Sequence, residues 1–100
     1  MTYFDYRWAS AQIGGWRDDE VDQSIRAQTA GDPPFYGVVM LAMQRADSFN
    51  LARLIAAWPE VYSELDDRYN APGAILPSDP EPLKQVVATS LGTTVEALSR

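Results

Sequence analysis

Asp32-Pro33-Pro34-Phe35-Tyr36-Gly37-Val38-Val39-Met40-Leu41-Ala42-Met43, continued by Asp47-Ser48-Phe49-Asn50-Leu51-Ala52-Arg53-Leu54-Ile55 and closed by Trp58-Pro59, decides the fold. Asp32 is a natural N-cap, and Pro33 suits the first position of a helix, where no N–H is needed. The stretch Phe35 to Met43 is apolar nearly all round, as in a helix at the buried centre of a small domain. Gly37 lowers its helicity and leaves room for a close neighbour. Leu51, Leu54, Ile55 and Trp58 then recur at i, i+3, i+4 and i+7. A single helix from Pro33 to Trp58 would run about 39 Å. A globule of this length has a radius of gyration of only about 13 Å. Two helices with a break near Asp47 are therefore expected.

Working outward, Pro59 opens a further helix whose buried face is Val61, Leu65 and Tyr69, with Tyr62 beside them. Asn70-Ala71-Pro72-Gly73 stops it, and the proline-rich stretch from Ala71 to Pro82 is a loop. Leu83, Val86, Val87 and Leu91 share one face of the next helix, which Gly92 caps. Thr93 and Glu96 have the spacing of a capping box for a last short helix. Toward the N-terminus, acids crowd the start of a helix from Asp19 to Ala30, where the dipole favours them, and Gly31 suits its C′ position. Val21, Ile25 and Gln28 form its thin inner stripe. The first stretch, Thr2 to Ile13, is open to two readings. Phe4, Tyr6 and Trp8 alternate with Asp5 and Arg7 as in a strand; Phe4, Trp8 and Ala11 also share a helical face, with Thr2 as N-cap and Asp5 three residues on. Helix is favoured, because a lone strand has nothing to pair with. The expected architecture is all-α: one domain over residues 1–100, a compact irregular bundle of about five or six short helices.

Composition narrows the chemistry. The chain has neither cysteine nor histidine. Disulfides, thiol catalysis, thiolate or imidazole metal sites and serine–histidine triads are excluded. There is no Gly-rich phosphate loop and no nucleophile elbow. Nothing in the spacing selects two carboxylates for acid–base work, so the chain is expected to be neither an enzyme nor a cofactor carrier. The net charge is −6, from 14 acids and 8 bases, and the bases are scattered from Arg7 to Arg100. Such a chain repels nucleic-acid phosphates and anionic membranes, and favours a basic protein surface as its partner. The longest apolar run falls far short of the roughly 20 residues of a membrane span. No secretory signal opens the sequence, which points to the cytoplasm.

Two acidic clusters are the candidate partner-binding residues. Asp18, Asp19, Glu20 and Asp22 stand at a helix start, as a dipole-matched, solvated cap, as a docking surface for basic groups, or as a weak divalent-cation site. They lack the alternating ligands, turn glycine and distal glutamate of a calcium loop. Glu60, Glu64 and Asp67 fall at i, i+4 and i+7, in one row along a helix. The row is either a solvated outer face or an imitation of phosphates that occupies a nucleic-acid groove on another protein. The aromatics Tyr3, Phe4, Tyr6, Trp8 and Trp16 are core residues unless several prove exposed together.

Two resemblances add context. Leu91-Gly92-Thr93-Thr94-Val95-Glu96-Ala97-Leu98 resembles the stretch after the recognition helix in Cro/repressor-type helix-turn-helix domains, which implies a small transcriptional regulator. That family places a polar, often basic helix just upstream, where this chain offers only Lys84 and Gln85. Ala46-Asp47-Ser48-Phe49-Asn50-Leu51-Ala52-Arg53-Leu54, Trp58-Pro59-Glu60-Val61 and Arg68-Tyr69-Asn70-Ala71-Pro72-Gly73 are together similar to a segment of small uncharacterised phage and prophage proteins, over roughly a quarter of the chain. The resemblance carries over no catalytic residue. It implies a protein that binds and blocks a host nucleic-acid-handling or defence complex, as anti-CRISPR and anti-restriction proteins do, or else a phage structural or assembly subunit.

Overall fold

The computed structural model describes residues 1–98; Ser99 and Arg100 lie outside the described residues. Among these the chain is all-α. Its helices are α1 (Tyr3–Gly14), α2 (Glu20–Thr29), α3 (Phe35–Arg45), α4 (Ser48–Ala57), α5 (Pro59–Asn70), α6 (Glu81–Leu91) and α7 (Val95–Leu98), with a 3₁₀ turn at Pro72–Ala74. The Cα radius of gyration is 13.7 Å. No helix is long and apolar enough to cross a membrane.

Local chemistry sets most boundaries. The first stretch is a helix: Thr2 accepts the Asp5 N–H, and the Asp5 carboxylate accepts the Thr2 N–H at 2.7 Å, closing a capping box. Gly15, at φ 81°, ends α1. Asp47 breaks the central stretch in two by accepting the Asn50 N–H at 2.8 Å. Pro59 opens α5, and Gly92, left-handed at φ 69°, ends α6.

Several boundaries differ from expectation. Pro33 is not helical: the proline that follows disfavours the helical region for it, and Pro34 becomes the N-cap of α3. Gly31 is not left-handed, and α2 closes on Ala30 in helical conformation. Thr94, not Thr93, caps α7 by accepting the Ala97 N–H at 3.2 Å, because the Thr93 N–H is used to close α6 onto Ala88.

The core lies in two clusters, and α1 belongs to both. Tyr3, Val21, Ile25, Ile75, Val87, Ala88 and Leu98 form one; Ala9, Val39, Met40, Met43, Val61 and Leu65 form the other. Trp8 packs against each. The central helix is thus α1 rather than α3, whose outer face leaves Phe35, Tyr36 and Val38 exposed. Gly37 is where α1 and α3 touch. A Cβ there would stand 2.8 Å from Pro34 Cγ, 3.0 Å from Trp8 Cε3 and 3.1 Å from the Asp5 carbonyl oxygen.

Two helices are rotated from their expected faces by a buried cation. On α5 the inner row is Val61, Leu65 and Arg68, while Tyr69 is 77% exposed. Arg68 is buried because its guanidinium is fully engaged: Nη1 and Nη2 each donate to Asp79 at 2.9 Å, Nη1 also to the Ala74 carbonyl at 2.8 Å, and Nε to Glu64 at 3.3 Å. On α6 the inner residues are Lys84, Val87 and Ala88, so Val86 and Leu91 turn outward. The Lys84 ammonium donates to the Pro77 carbonyl at 2.9 Å and to Glu81 at 3.3 Å. These bonds pin the stretch from Ala71 to Pro80 against the helices; the loop expected as far as Pro82 ends two residues earlier, because Glu81 and Pro82 open α6, where a proline in the first turn gives up no helical hydrogen bond.

Gly37→Ala should destabilise the fold by about 1–3 kcal/mol, the usual cost of overpacking. Gly14→Ala, where a Cβ meets nothing within 4 Å, should not; chemical unfolding of the two variants checks the contrast. Arg68→Ala should cost about 3–5 kcal/mol, because it removes the guanidinium from a carboxylate that is 8% exposed and leaves it only the Leu76 N–H as a bonded partner. Burial alone would push the Asp79 carboxyl up, but Arg68, the Leu76 N–H and Lys84 hold it below the usual carboxylate range. A carboxyl depressed in the folded state stabilises above its unfolded pKa of about 3.9, and that contribution is lost as pH falls through the folded value. The wild type should therefore lose stability below about pH 4, with a shallower acid loss in Asp79→Asn, read from unfolding midpoints against pH.

Candidate functional site: an acid-rimmed groove between α2 and α6

The first acidic cluster divides by role. Asp22 is 1% exposed. One carboxylate oxygen sits 2.7 Å from Arg7 Nη2 and the other accepts the Arg17 N–H. Asp19 is the N-cap of α2, accepting the Asp22 N–H at 2.9 Å and the Arg7 Nη2 donor at 2.6 Å, with Arg17 at 3.4 Å. Burial works to raise its pKa, but the Asp22 N–H, Arg7 and Arg17 outweigh it and hold the carboxyl below the ordinary value. Asp18 is exposed and paired with Arg26 at 2.5 Å. Glu20 is exposed and, among the described residues, free of any such bond. As a partner-contacting residue Asp22 is therefore corrected: it is a buried strut whose charge is spent on Arg7. Asp18, Asp19 and Glu20 remain at the surface.

The second cluster is not one uniform row. Glu60 and Asp67 are exposed, whereas Glu64 is half-buried and bonded to Arg68. None of the three lines the cavities around α2 and α6.

The aromatics are mostly structural. Tyr3 is buried, Tyr6, Trp8 and Trp16 are half-buried, and Phe4 is 39% exposed.

A pocket of about 280 Å³ lies between α1 and the 3₁₀ turn, over Arg7, Arg17, Asp22 and the Tyr3 hydroxyl. Its charges face one another. Among the described residues no buried side-chain polar atom lacks a hydrogen bond, so its floor presents no unmet demand for a ligand. Asp22 is the one carboxylate lining it among the described residues, and both its oxygens are engaged, by Arg7 and by the Arg17 N–H. Among the described residues no three acids converge as a metal would require.

The larger feature runs between α2 and α6. A cavity of about 440 Å³ lined by Phe4, Val21, Pro80, Pro82, Leu83 and Val86 adjoins one of about 520 Å³ lined by Asp18, Asp19, Gln23, Gln85, Thr89 and Ser90. Glu20 and Val86 line both, which makes them one groove, and neither cavity is lined by a lysine or arginine. One end is apolar and the other acidic. Sequence patterns had hidden it: Val86 has the spacing of a buried residue, and Pro80 and Pro82 read as loop. The inward turn of Lys84 is what swings Val86 out, and no local pattern signals that turn.

Asp22→Asn should lower stability by about 1–3 kcal/mol, because it removes the charge from a buried bonded carboxylate while Arg7 keeps Asp19 and the Tyr3 hydroxyl, whereas Glu20→Gln should leave the unfolding free energy within about 0.5 kcal/mol of wild type, as an unpaired surface change does. Compared with known proteins, the chain matches no family model, no curated protein and no solved structure.

Proposed function

We propose that this protein is a non-catalytic binding protein that takes a basic protein partner along the groove between α2 and α6. The observation that supports the proposal is an unpaired acid beside apolar surface: among the acids lining the groove Asp18 is paired with Arg26 and Asp19 with Arg7 and Arg17, while Glu20 is exposed with no ion pair among the described residues, and the chain as a whole carries −6. Glu20 gives up no existing bond when a partner's ammonium or guanidinium arrives, and apolar surface beside it gains by being covered. Glu60 and Asp67 are similarly free and extend the attraction for a basic surface without entering the groove. The resemblance to phage proteins makes a nucleic-acid-handling or defence complex of a host the class of partner to test first, since such complexes present basic surfaces to their nucleic acid.

Direct nucleic-acid binding is less well supported than this. Lys84, the one base in α6, is turned inward onto Pro77 and Glu81, which leaves that helix no cation for a phosphate. The helix after Gly92 is four residues long.

Affinity capture from bacterial lysate tests the proposal. A partner should be retained at about 0.1 M salt and released at about 1 M, as the screening length falls from about 10 Å to about 3 Å. Glu20→Lys should lose most of the retained protein at the lower salt. Retention of nothing at low salt, or equal retention by Glu20→Lys, would contradict it.

A further inference from the structure

We infer that the corner between α3 and α4 is a binding site for a small phosphate monoester. The site lies apart from the groove and is independent of the basic partner proposed above. Its first ground is the pairing of cations. Among the described residues Arg7, Arg17, Arg26, Arg68 and Lys84 each stand within ion-pair distance of a carboxylate. Arg45 and Arg53 have no carboxylate partner there, although the chain holds 14 acids against 8 bases. Both are exposed, and both line one cavity of about 410 Å³, together with Ala42, Ala46, Asn50 and Leu54. Among the described residues no carboxylate lines it. An acidic chain thus carries two uncommitted guanidinium groups at a single place.

The second ground is how those groups are held. Arg45 belongs to the last turn of α3 and Arg53 to α4, so the break at Asp47 brings residues eight positions apart onto one cavity. The guanidinium carbon of Arg53 lies 4.3 Å from the centroid of the Phe49 ring, one turn earlier on the same helix. That contact restricts the side chain before a ligand arrives and lowers the ordering cost of binding. Asp47, the nearest acid in sequence, is occupied as the cap of α4. It accepts the Asn50 N–H at 2.8 Å and the Asn50 side-chain amide at 3.2 Å. The amide keeps a second N–H for a ligand.

The third ground is the match of charge and size. A carboxylate has one charge and two oxygens, which a single arginine meets bidentately. A phosphate monoester carries about 1.5 to 2 negative charges at neutral pH and three acceptor oxygens, enough to occupy both guanidinium groups. A phosphodiester carries one charge and is the poorer fit, so the site does not select a nucleic-acid backbone. The cavity exceeds what a phosphate group alone fills and falls within the range of small-ligand sites, about 300–1,000 Å³. Ala42, Ala46 and Leu54 give it an apolar wall for the organic part of the ester.

Titration calorimetry of the intact protein at low ionic strength tests the inference with four probes: phenyl phosphate, its methyl diester, benzoate and inorganic phosphate. Phenyl phosphate should bind at least about tenfold tighter than the diester or benzoate, the difference expected when a second charge-assisted contact is made. It should also bind severalfold tighter than inorganic phosphate, through the apolar wall. Arg45→Gln and Arg53→Gln change exposed side chains and should stay folded by circular dichroism. Each should weaken phenyl phosphate about tenfold, whereas Arg26→Gln, which removes the same charge from α2, should not. Benzoate or the diester binding as tightly as phenyl phosphate would overturn the monoester. Inorganic phosphate binding as tightly would overturn the organic part. Equal loss in Arg26→Gln, or no loss in Arg45→Gln and Arg53→Gln, would move the effect away from this corner and overturn the site, as would absence of saturable binding by all four probes.

Discussion

Two buried arginines and one tyrosine ring hold this molecule together. The guanidinium carbons of Arg7 and Arg68 lie 5.7 Å and 5.8 Å from the centroid of the Tyr3 ring, which is itself 2% exposed. Arg7 also donates to the Tyr3 hydroxyl at 2.7 Å. From there one arginine reaches Asp19 and Asp22 at the start of α2, and the other reaches Glu64 on α5 and Asp79 in the loop before α6. Elements distant in sequence are thereby fixed to α1 through bonds with defined directions. Taking such charges out of water costs several kcal/mol per ion, and mutual attraction offsets that only when every donor and acceptor is matched. Here no buried side-chain nitrogen or oxygen among the described residues lacks a hydrogen-bond partner. Helices with split, modest apolar clusters obtain a fixed arrangement in this way.

That arrangement sorts the acids. Asp22 and Asp79 are interior struts, Asp19 is a cap locked by two arginines, and Glu64 is held by Arg68. Glu20, Glu60 and Asp67 carry charge with no side-chain bond among the described residues. The negative charge of the sequence is thus divided between carboxylates already bonded within the fold, the exposed Asp18 on Arg26 among them, and surface carboxylates such as these three, which can meet a partner without giving up a bond. The turn of Lys84 toward the loop connects structure to function, since it is what swings Val86 out beside Glu20 and gives the groove its apolar end.

Local signals in the sequence were legible wherever the cause was local. Thr2 with Asp5, Asp19, Asp47, Pro59 and Gly92 each act on their own turn of chain, and each sits where its chemistry suggests. The all-α class and the close approach at Gly37 follow from the same kind of reasoning. What was hidden depends on partners far along the chain. Arg68 displaces Tyr69 from the buried face of α5 because Asp79, eleven residues on, satisfies it. Asp22 is buried because Arg7 reaches it from α1. A pattern that sends charge outward and aromatic rings inward misplaces both. The groove was invisible for the same reason, as it exists only when α2, α6 and Phe4 come together.

The central claim is that position in the fold, rather than residue type, decides which carboxylates are available. Mild carbodiimide–amine labelling of the native protein, read residue by residue by mass spectrometry, tests it most directly. Glu20, Glu60 and Asp67 should label rapidly, while Asp22 and Asp79 stay unmodified until the protein is unfolded. Labelling of Asp22 at the rate of Glu60 in the folded protein would contradict the account.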